Sequence, residues 1–337
     1  MLLAKYPRRS YTHAKTPIEK LTHLTELLNG PSIFVKRDDL LGLAGGGNKT
    51  RKLEFLIADA IHKGADTIVT CGALQSNHCR LTLAAAIKEG LKCQLVLEEG
   101  VATPYNPDAN GNNLPFKLLG AESIKVVPYG SDIIADMHTL GEELVMAGRK
   151  PYLIPLGGSN ELGSAGYVAC AQEILQQTFE TGLVIDDVVV ASGSGGTQAG
   201  LIVGFNASSA PIKVHGINVS RPNEAQIPLI TDLVQQTAGY LNLADFHFAD
   251  RVHCYDSYVG EGYTIPTQGM IEAVQMVART EGILLDSVYT GKVMAGLIDL
   301  IRKGAFKKED NVLFIHTGGS PSLYANPTLF NEDFFAL

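Results

Sequence analysis

The sequence predicts an α/β protein with two doubly wound parallel-sheet units. Short apolar runs alternate with amphipathic segments along most of the chain, for example ADTIVTCG at 65–72 and KCQLVLEE at 92–99. A strand, a helix and a strand joined by short turns form a right-handed unit with parallel strands. The chain has 337 residues, which is long for one hydrophobic core, and its 35 glycines suit many tight strand-to-helix turns. Together these three features predict two α/β units.

The apolar runs predict the strands in chain order. Strands are predicted at 33–35, 65–72, 92–99, 124–130 and 214–220, and at the starts of the segments 151–167, 186–206 and 311–325. Helices are predicted between them, because apolar residues there recur with a helical period and some segments end at a glycine, such as Gly64 and Gly90. An amphipathic segment at 16–28 begins with Thr-Pro, which favours a helix start or a turn. Residues 252–267 are predicted to be irregular.

Composition and charge exclude several classes of partner. The formal net charge is -8 and is spread along the chain, which argues against nucleic acid and anionic membranes. No run approaches the ~18 apolar residues of a membrane span, and the first residues contain no signal-peptide core. The five cysteines form no CxxC pair and suit reduced core thiols. We therefore expect a cytoplasmic, enzyme-sized protein that has no metal site.

The stretch GGGNKTRKLEF at 45–55 brings a lysine to the start of an amphipathic segment. A lysine amine in a tight, backbone-rich turn can lose its hydration, and a desolvated amine is a nucleophile for aldehydes. By itself the pattern also fits a solvated lysine at a helix N-terminus. Lys49 is thus a candidate nucleophile whose role depends on the other motifs.

The stretch SGSGGTQAG at 192–200 follows a buried strand and opens a helix. Backbone N–H groups and the helix dipole converge there, which favours a bound phosphate. The dinucleotide fingerprint GxGxxG fails at Gln198, and no acidic residue for a ribose follows about 20 residues later. No Gly-Lys-Ser/Thr of a Walker loop follows either. A phosphate monoester is the preferred ligand, and a tight turn without a ligand is the alternative.

Three further motifs lie where strands end or in adjoining loops. Ser76, Asn77 and His78 stand at a predicted helix N-terminus, which suits a carboxylate, although Ser76 also fits a plain N-cap and His78 a core histidine. Tyr263 and Tyr289 lie in a loop and at a helix start, where a structural tyrosine is the alternative. The HTGG at 316–319 places a hydroxyl beside glycines. A lysine, two anion cradles and neutral hydroxyls together describe pyridoxal phosphate (PLP) with an amino-acid substrate.

The stretches GGGNKTRKLEF, GALQSNHCR, ASGSGGTQAGL, GYTIPT, DSVYTGK and FIHTGGSP resemble the fold-type II PLP enzymes, and more narrowly the ACC deaminase/D-cysteine desulfhydrase family. The resemblance runs from about Thr16 to Tyr324. It implies two sheet domains of the tryptophan synthase β-like kind. The larger, cofactor-binding domain would comprise 1–52 plus 160–337, and the smaller would be inserted at 53–159. It also suggests a homodimer.

The resemblance implies a role for each motif residue. Lys49, with Asn48 beside it, would bind the cofactor covalently, and Asn77 would hydrogen-bond the 3′-oxygen of the ring. Ser76 and His78 would lie by the substrate carboxylate, and Ser76 would also take part in proton transfer. The residues that would hold the phosphate are Gly193, Ser194, Gly195, Gly196 and Thr197. Those that would face the substrate include Gly158, Tyr263 and Tyr289, and Thr317 would lie near the pyridine nitrogen.

One departure from the family pattern bears on the reaction. ACC deaminases carry Glu after the equivalent of Tyr289, and this chain carries Thr290. Without a carboxylate the pyridine nitrogen should stay unprotonated, which suits loss of a β leaving group better than cyclopropane opening. The expected reaction is α,β-elimination, in which Lys49 removes the Cα proton and pyruvate and ammonium are formed.

The substrate is the most open part of the sequence reading. The YPRRSYT start, the YNPDANGNN segment and GYVACAQEI resemble most the family members that act on L-cysteate, with those acting on D-cysteine close behind. Sulfite release from L-cysteate is therefore the first expectation and sulfide release from D-cysteine the second. Candidate donors to a sulfonate are Arg221, His78 and 106–113. ACC deamination, a non-catalytic PLP-binding protein and a nicotinamide dehydrogenase are more distant alternatives.

Overall fold

The computed structural model describes residues 3–101, 104–243, 248 and 250–335. Its strands form a six-stranded sheet and a four-stranded sheet. In chain order the strands are β1 (Ile18–Lys20), β2 (Ser32–Lys36), β3 (Thr67–Ala73), β4 (Lys92–Glu98), β5 (Ser123–Val127), β6 (Pro151–Ile154), β7 (Asp187–Ser192), β8 (Lys213–Asn218), β9 (His253–Tyr255) and β10 (Asn311–Ile315).

Eleven α-helices lie within the described residues. They are α1 (Thr22–Leu28), α2 (Lys49–His62), α3 (Asn77–Lys88), α4 (Asn113–Leu118), α5 (Ile133–Met146), α6 (Glu161–Thr181), α7 (Gly196–Ala207), α8 (Asn223–Tyr240), α9 (Gln268–Glu281), α10 (Thr290–Arg302) and α11 (Ser320–Leu323). Short 3-10 turns lie at Leu3–Lys5, Asp38–Leu40, Leu156–Gly158 and Pro327–Phe330.

The two sheets are built from parallel strands. The larger sheet has the order β1-β2-β10-β7-β8-β9, and β1 alone in this described sheet is antiparallel to its neighbour. The smaller sheet has the order β5-β4-β3-β6 and is parallel throughout. Parallel strands require crossover connections, and helices supply them here. The predicted α/β class with parallel sheets is confirmed.

Helices cover both faces of each sheet. In β7, Val188 and Val190 pack into one hydrophobic cluster with α6 and α7, and Val189 packs into another with α9 and α10. In β3, Ile68 faces α2 and α3, whereas Val69 faces the side of α5. Because side chains alternate across a strand, this division shows that both faces of each sheet are buried.

The larger sheet takes its strands from both ends of the chain, and the smaller sheet takes its strands from 67–154. The division of the chain into a domain of 1–52 plus 160–337 and an inserted domain of 53–159 stays a proposal. Helix α2 crosses the first of these boundaries, since it runs from Lys49 to His62.

Two local predictions need correction. Residues 16–28 do not form one helix, because Ile18–Lys20 pairs with β2 as an edge strand before α1 begins. Residues 252–267 are not wholly irregular, because His253–Tyr255 pairs with β8. In both cases the pairing partner lies outside the local segment, so the local pattern did not reveal the strand.

The cysteines lie in the interior. Cys71, Cys79, Cys93 and Cys170 are buried, Cys254 is half-buried, and all five are free thiols. Burial raises the pKa of Cys71 and of Cys79 to about 12. Within the described residues, no helix combines the length and apolar character needed to cross a membrane.

A buried ion network fixes α2 against β2 and α6. The Arg51 guanidinium donates to both oxygens of Asp38 at 2.8 and 2.9 Å, and to Glu173 at 2.8 and 3.0 Å. Lys36 donates to Glu173 at 2.5 Å, and the hydroxyl of Tyr167 donates to Asp38 at 2.6 Å. Arg51 and Asp38 are almost fully buried, so each needs the other to offset its lost hydration.

We expect Asp38→Asn to lower the free energy of unfolding by about 3–5 kcal/mol at neutral pH, because it leaves Arg51 buried with one acid fewer. Burial alone would raise the pKa of Asp38, but Arg51 and Lys36 hold it below its usual value. The pair therefore stabilises the fold above the pKa of an unfolded aspartate, about 3.9, and this contribution is lost as the pH falls. Urea unfolding measures the change.

The control for this prediction is Glu272→Gln. Glu272 pairs with Arg302 at 2.8 Å on the surface, where such a pair contributes little. Equal losses of stability in the two variants would contradict the role of burial in the Asp38 network.

Candidate active site

Lys49 is the first residue of α2 and follows three glycines and the N-cap residue Asn48. The turn packs tightly on the HTGG segment, since the Asn48 N–H donates to the Thr317 carbonyl at 3.0 Å. Gly47 has φ +127°, and a Cβ there would lie 3.2 Å from the same carbonyl oxygen. A side chain at this position is therefore disfavoured both by the backbone conformation and by the space available. The glycine turn thus brings backbone close to Lys49.

The Lys49 amine is linked to the glycine loop after β7. Its Nζ donates to Asn48 Oδ1 at 3.2 Å, and Asn48 Nδ2 donates to Thr197 Oγ1 at 2.9 Å. Burial lowers the pKa of Lys49 to about 8. The structure therefore joins two predicted motifs, the lysine and the glycine loop, that lie about 150 residues apart in the chain.

The glycine loop runs from the carboxyl end of β7 to the start of α7. Gly195 has φ +89°, and a Cβ there would lie 2.6 and 2.7 Å from the side chains of Leu229 and Leu233. Only glycine fits both the conformation and the space. Ser194 precedes Gly195, and Gly196 and Thr197 are the first residues of α7, where N–H groups are available to an anion.

Lys52 and Ser159 complete this cradle, and neither was predicted from the sequence. Lys52 is fully buried and donates to the Gly157 carbonyl at 3.1 Å and to Ser159 Oγ at 2.9 Å. The Ser159 hydroxyl donates to Ser194 Oγ at 2.8 Å and accepts from the Gly196 N–H at 3.2 Å. Lys52 lies one helical turn after Lys49, so the i, i+3 spacing was a usable signal.

The cradle fits a phosphate group. Among the described residues, Lys52 contacts a carbonyl and a hydroxyl but no carboxylate, and burial, followed by the charge of Lys49, lowers its pKa well below the usual value. The Ser164 hydroxyl is buried without a hydrogen-bond partner in the described part of the chain, and it lies 3.0 Å from where a Cβ of Gly196 would be. A buried cation and an unpaired hydroxyl beside a helix N-terminus call for an anion.

The QSNH residues occupy the junction of β3 and α3. Ser76 is the N-cap of α3 and accepts from the Cys79 N–H at 3.1 Å. His78 is buried, and its Nε2 lies 2.8 Å from Thr70 Oγ1. Burial, together with the charges of Lys49 and Lys52, lowers the pKa of His78 well below its usual value, so the ring is neutral. Both structural alternatives therefore hold, and contacts of Ser76 and His78 with a substrate stay predictions.

Gly158 lies between the two cradles. A Cβ at Gly158 would be 3.6 Å from the His78 ring and 3.6 Å from the aliphatic chain of Lys52. The predicted site residue Gly158 is thus brought to both the QSNH motif and the phosphate cradle.

The two predicted tyrosines meet beside the glycine loop. The hydroxyls of Tyr263 and Tyr289 are hydrogen-bonded to each other, and the Tyr289 ring lies 3.8 Å from where a Cβ of Gly193 would be. The Tyr263 residue is 39% exposed, but loss of hydration where the two hydroxyls meet raises the pKa of Tyr263 to about 12 and that of Tyr289 well above its usual value. Both phenols are therefore neutral hydrogen-bond donors at neutral pH.

Lys292 fixes the loop that carries Tyr263. It is fully buried and donates to the carbonyls of Val259 and Gly262 at 2.7 and 2.9 Å. No sequence motif indicates this contact, because the loop reaches α10 only in the folded protein.

Thr290 does not present a free hydroxyl. Its Oγ1 donates to Asp286 Oδ1 and accepts from the Asp286 N–H, both at 2.7 Å, and the side chain is fully buried. Asp286 also accepts from three backbone N–H groups at the start of α10. This aspartate therefore holds the helix N-terminus.

The residues proposed for a sulfonate are only partly brought together. Arg221 lies at the rim and donates to the Gly193 carbonyl at 3.1 Å. In the 106–113 segment, Asn112 is fully buried and contacts Gln75 and Asn77. Asn112 therefore supports the QSNH motif.

We expect the Lys49 amine of the cofactor-free protein to become reactive near pH 8, well below the value of about 10.4 for an unfolded lysine. Keeping this buried amine protonated destabilises the fold below about pH 8, and the destabilisation fades as the pH rises towards the unfolded value. Reductive methylation with a small aldehyde over a pH series, followed by peptide mass spectrometry, measures the midpoint at Lys49.

Surface lysines in the same digest serve as the internal reference for this measurement. Labelling of Lys49 that rose only at the pH of those lysines would contradict its desolvation.

Comparison with known proteins places this site in a family. Residues 9–318 match the family model described as "Pyridoxal-phosphate dependent enzyme". The chain is 46% identical over 324 residues to proteins named D-cysteine desulfhydrase from Salmonella paratyphi C and Salmonella typhimurium, covering 96% of this chain and 97% of each relative.

Solved structures show the same relationship. A structure described as an ACC deaminase homologue matches with a TM-score of 0.87 and 38% identity, covering 97% of this chain and 96% of the other. A PLP-dependent aspartate racemase matches with a TM-score of 0.63 at 18% identity and shows the fold alone. The predicted family, fold and cofactor are confirmed: this chain belongs to the pyridoxal-phosphate dependent enzymes.

Proposed function

We propose that this protein is a carbon-sulfur lyase that cleaves D-cysteine to sulfide, pyruvate and ammonium. The observation that carries the proposal is the 46% identity, over nearly the full length of both chains, to relatives named D-cysteine desulfhydrase. The desolvated Lys49 beside an anion cradle supports the same reaction class. The relatives do not support L-cysteate as the first choice, so the sequence-based order of the two substrates is reversed.

PLP, when bound, withdraws electrons from the Cα of an attached amino acid. We propose that Lys52, Ser194, Thr197 and the N–H groups of Gly193, Gly195 and Gly196 hold its phosphate. Asn48 orients Lys49, since its Oδ1 accepts from the amine at 3.2 Å. Thr317 would lie near the pyridine nitrogen.

The residue proposed to remove the Cα proton is Lys49. Its pKa near 8 leaves part of the amine unprotonated at neutral pH, so Nζ accepts the Cα proton as a general base. The neutral hydroxyls of Tyr263 and Tyr289 would donate to the sulfur that leaves Cβ. Ser76 and Asn77 lie at the N-terminus of α3, where the substrate carboxylate would be held and Ser76 would assist proton transfer.

The surroundings of Thr290 favour elimination over cyclopropane opening. The residue carries no carboxylate, and its hydroxyl is already hydrogen-bonded to Asp286. A pyridine nitrogen without an acid partner stays unprotonated, which suits loss of a good leaving group.

L-cysteate is the second candidate substrate because Arg221 lies beside the site. Arg221 donates to the Gly193 carbonyl at 3.1 Å and lies close enough to Tyr263 to lower the pKa of that phenol slightly against the effect of burial. A guanidinium there would suit a sulfonate. The predicted homodimer and cytoplasmic location stay proposals.

We expect Lys52→Met to have opposite effects on the empty and the loaded protein. The cofactor-free protein should melt at a higher temperature, because a buried cation without an acid partner is removed. Its affinity for PLP should fall about 10- to 100-fold, because a charged hydrogen bond to the phosphate is lost. Thermal melting and fluorescence titration with PLP measure the two effects.

Lys36→Met is the matched control. Lys36 is equally buried but pairs with Glu173 at 2.5 Å, so its removal should lower the melting temperature. A Lys52→Met protein that was less stable and bound PLP normally would contradict the cradle.

We expect release of a 2-oxo acid to be fastest with D-cysteine when D-cysteine, L-cysteine, L-cysteate and ACC are compared at equal concentration. The first three substrates would give pyruvate, and the four-carbon ACC would give 2-oxobutanoate, so an assay that detects both acids is used. Sulfide and sulfite assays identify the leaving group, and Lys49→Ala should abolish release and the visible absorbance of the bound cofactor. Fastest release from L-cysteate would restore the sequence-based order. Fastest release from ACC would contradict the inference from Thr290.

A further inference from the structure

Arg80 is a second buried cation next to the site, and it carries no acid partner in the described part of the chain. Its side chain is fully buried in α3, and burial lowers its pKa to about 10. The similarly buried Arg51 has two carboxylates. A guanidinium without a counter-ion destabilises a fold unless a ligand or a function compensates.

The guanidinium joins three parts of the site. Its Nε donates to Asn112 Oδ1 at 2.6 Å, and one terminal nitrogen donates to Asn77 Oδ1 at 3.3 Å. The remaining donors contact the carbonyls of Ala44 and of Gly46, the latter at 3.3 Å, in the turn before Lys49. Arg80 therefore contacts both the turn before Lys49 and the amide of Asn77.

Asn112, in the 106–113 segment, also donates to the Asn77 oxygen that Arg80 contacts. Its Nδ2 donates to Asn77 Oδ1 at 3.0 Å and to the Gln75 carbonyl at 2.8 Å. Its backbone N–H donates to Gln75 Oε1 at 2.7 Å. The 106–113 segment is thus attached to the QSNH motif at two points.

These contacts decide the orientation of the Asn77 amide. A guanidinium only donates, so the atoms of Asn77 and Asn112 that face it must be oxygens. Asn77 Oδ1 then accepts two hydrogen bonds, and the Nδ2 group of Asn77 is left to donate on its other side. The side chain presents N–H groups to an acceptor.

We propose that Arg80 and Asn112 are positioning residues that hold Asn77 as a donor to the 3′-oxygen of PLP, and that the charge of Arg80 keeps this oxygen ionised. The inference rests on the proposed contact between Asn77 and the ring. A donor and a cation both favour the charged form of an acidic hydroxyl, so its pKa falls. The buried cation then gains a partial counter-charge when the cofactor binds.

Other charged groups near the site would also affect the pKa of the 3′-oxygen. Lys49 and Lys52 belong to α2, His78 belongs to α3, and Asp286 lies before α10. The charges of both lysines reach His78, and that of Asp286 reaches Tyr263 and Tyr289. None of these groups is changed in the variants proposed below.

The test is a pH titration of the visible absorbance of the cofactor-loaded protein without substrate. In Arg80→Gln the midpoint for ionisation of the 3′-oxygen should rise by about one pH unit or more. Asn112→Asp should raise it too, because it gives Arg80 an acid partner and removes a donor to Asn77. Arg80→Lys, which keeps the charge but loses the fork, should show a smaller rise.

Gln75→Ala is the control, because it releases the side-chain attachment of the 106–113 segment and leaves the contacts among Arg80, Asn77 and Asn112. Its midpoint should equal that of the unaltered protein. A purely structural role would lower the melting temperature of the Arg80 variants without moving the midpoint. Unchanged midpoints in both Arg80→Gln and Asn112→Asp would overturn the proposal, and Asn112→Asp decides the question if Arg80→Gln fails to fold.

The outcome is separable from that of the proposed function. The titration uses no substrate, so a protein that binds PLP but ignores D-cysteine still gives a midpoint. A shifted midpoint with no sulfide release would leave the positioning role standing and reject the substrate.

Discussion

Positive charge buried without acid partners is the constraint on which this site depends. Lys49, Lys52 and Arg80 approach from two adjacent helices, and burial lowers the pKa of each amine or guanidinium. Desolvation of a cation is unfavourable, and here the described residues supply carbonyls and hydroxyls but no carboxylates. In the proposed site, the phosphate and the ionised ring oxygen of the cofactor would supply the missing negative charge. The empty protein is therefore organised for an anionic ligand before it binds one.

In the network around Asp38, where no ligand is expected, the buried cations are paired with carboxylates. Arg51 lies two residues after Lys49 on α2, and it is matched by Asp38 and Glu173. One helix thus carries a compensated cation on the side facing α6 and uncompensated cations towards the site. The paired network holds the helix in place, and rigid placement of the helix keeps the unpaired amines close to the glycine loop.

Local sequence patterns predicted the parts of the site that local chemistry defines. The glycines before Lys49 and the loop at 192–200 combine residue types that few other roles require, so their motifs were readable. Lys52 and Ser159 were missed, and Asn112 was predicted only as part of the 106–113 segment that would bind a sulfonate, because each acquires its role through a partner that is distant in the chain. Lys52 meets Ser159 across about 107 positions, and Asn112 meets Asn77 across about 35.

The same distinction explains the errors in the fold. The central strands were predicted because they are buried on both faces and read as continuous apolar runs. Edge strands β1 and β9 have only three residues each, which is too short for a recognisable apolar run, and their existence depends on the neighbouring strand. Substrate choice is harder still, since D-cysteine and L-cysteate share the amine, the carboxylate and the three-carbon skeleton and differ only in the configuration at Cα and in the group at sulfur.

The burial of the cysteines has a consequence if the product is sulfide, as proposed. When sulfide is oxidised to polysulfides, a protein thiolate attacks a polysulfide S–S bond, takes up one sulfur and releases a shorter sulfide chain. An enzyme that releases sulfide under oxidising conditions therefore exposes its own cysteines to this chemistry. Cys79 lies one turn into α3, next to the QSNH motif, and burial raises its pKa to about 12. Its sulfur is therefore a protonated, inaccessible thiol beside the place where sulfide would form. The interior that anchors the helix also protects the protein from its product.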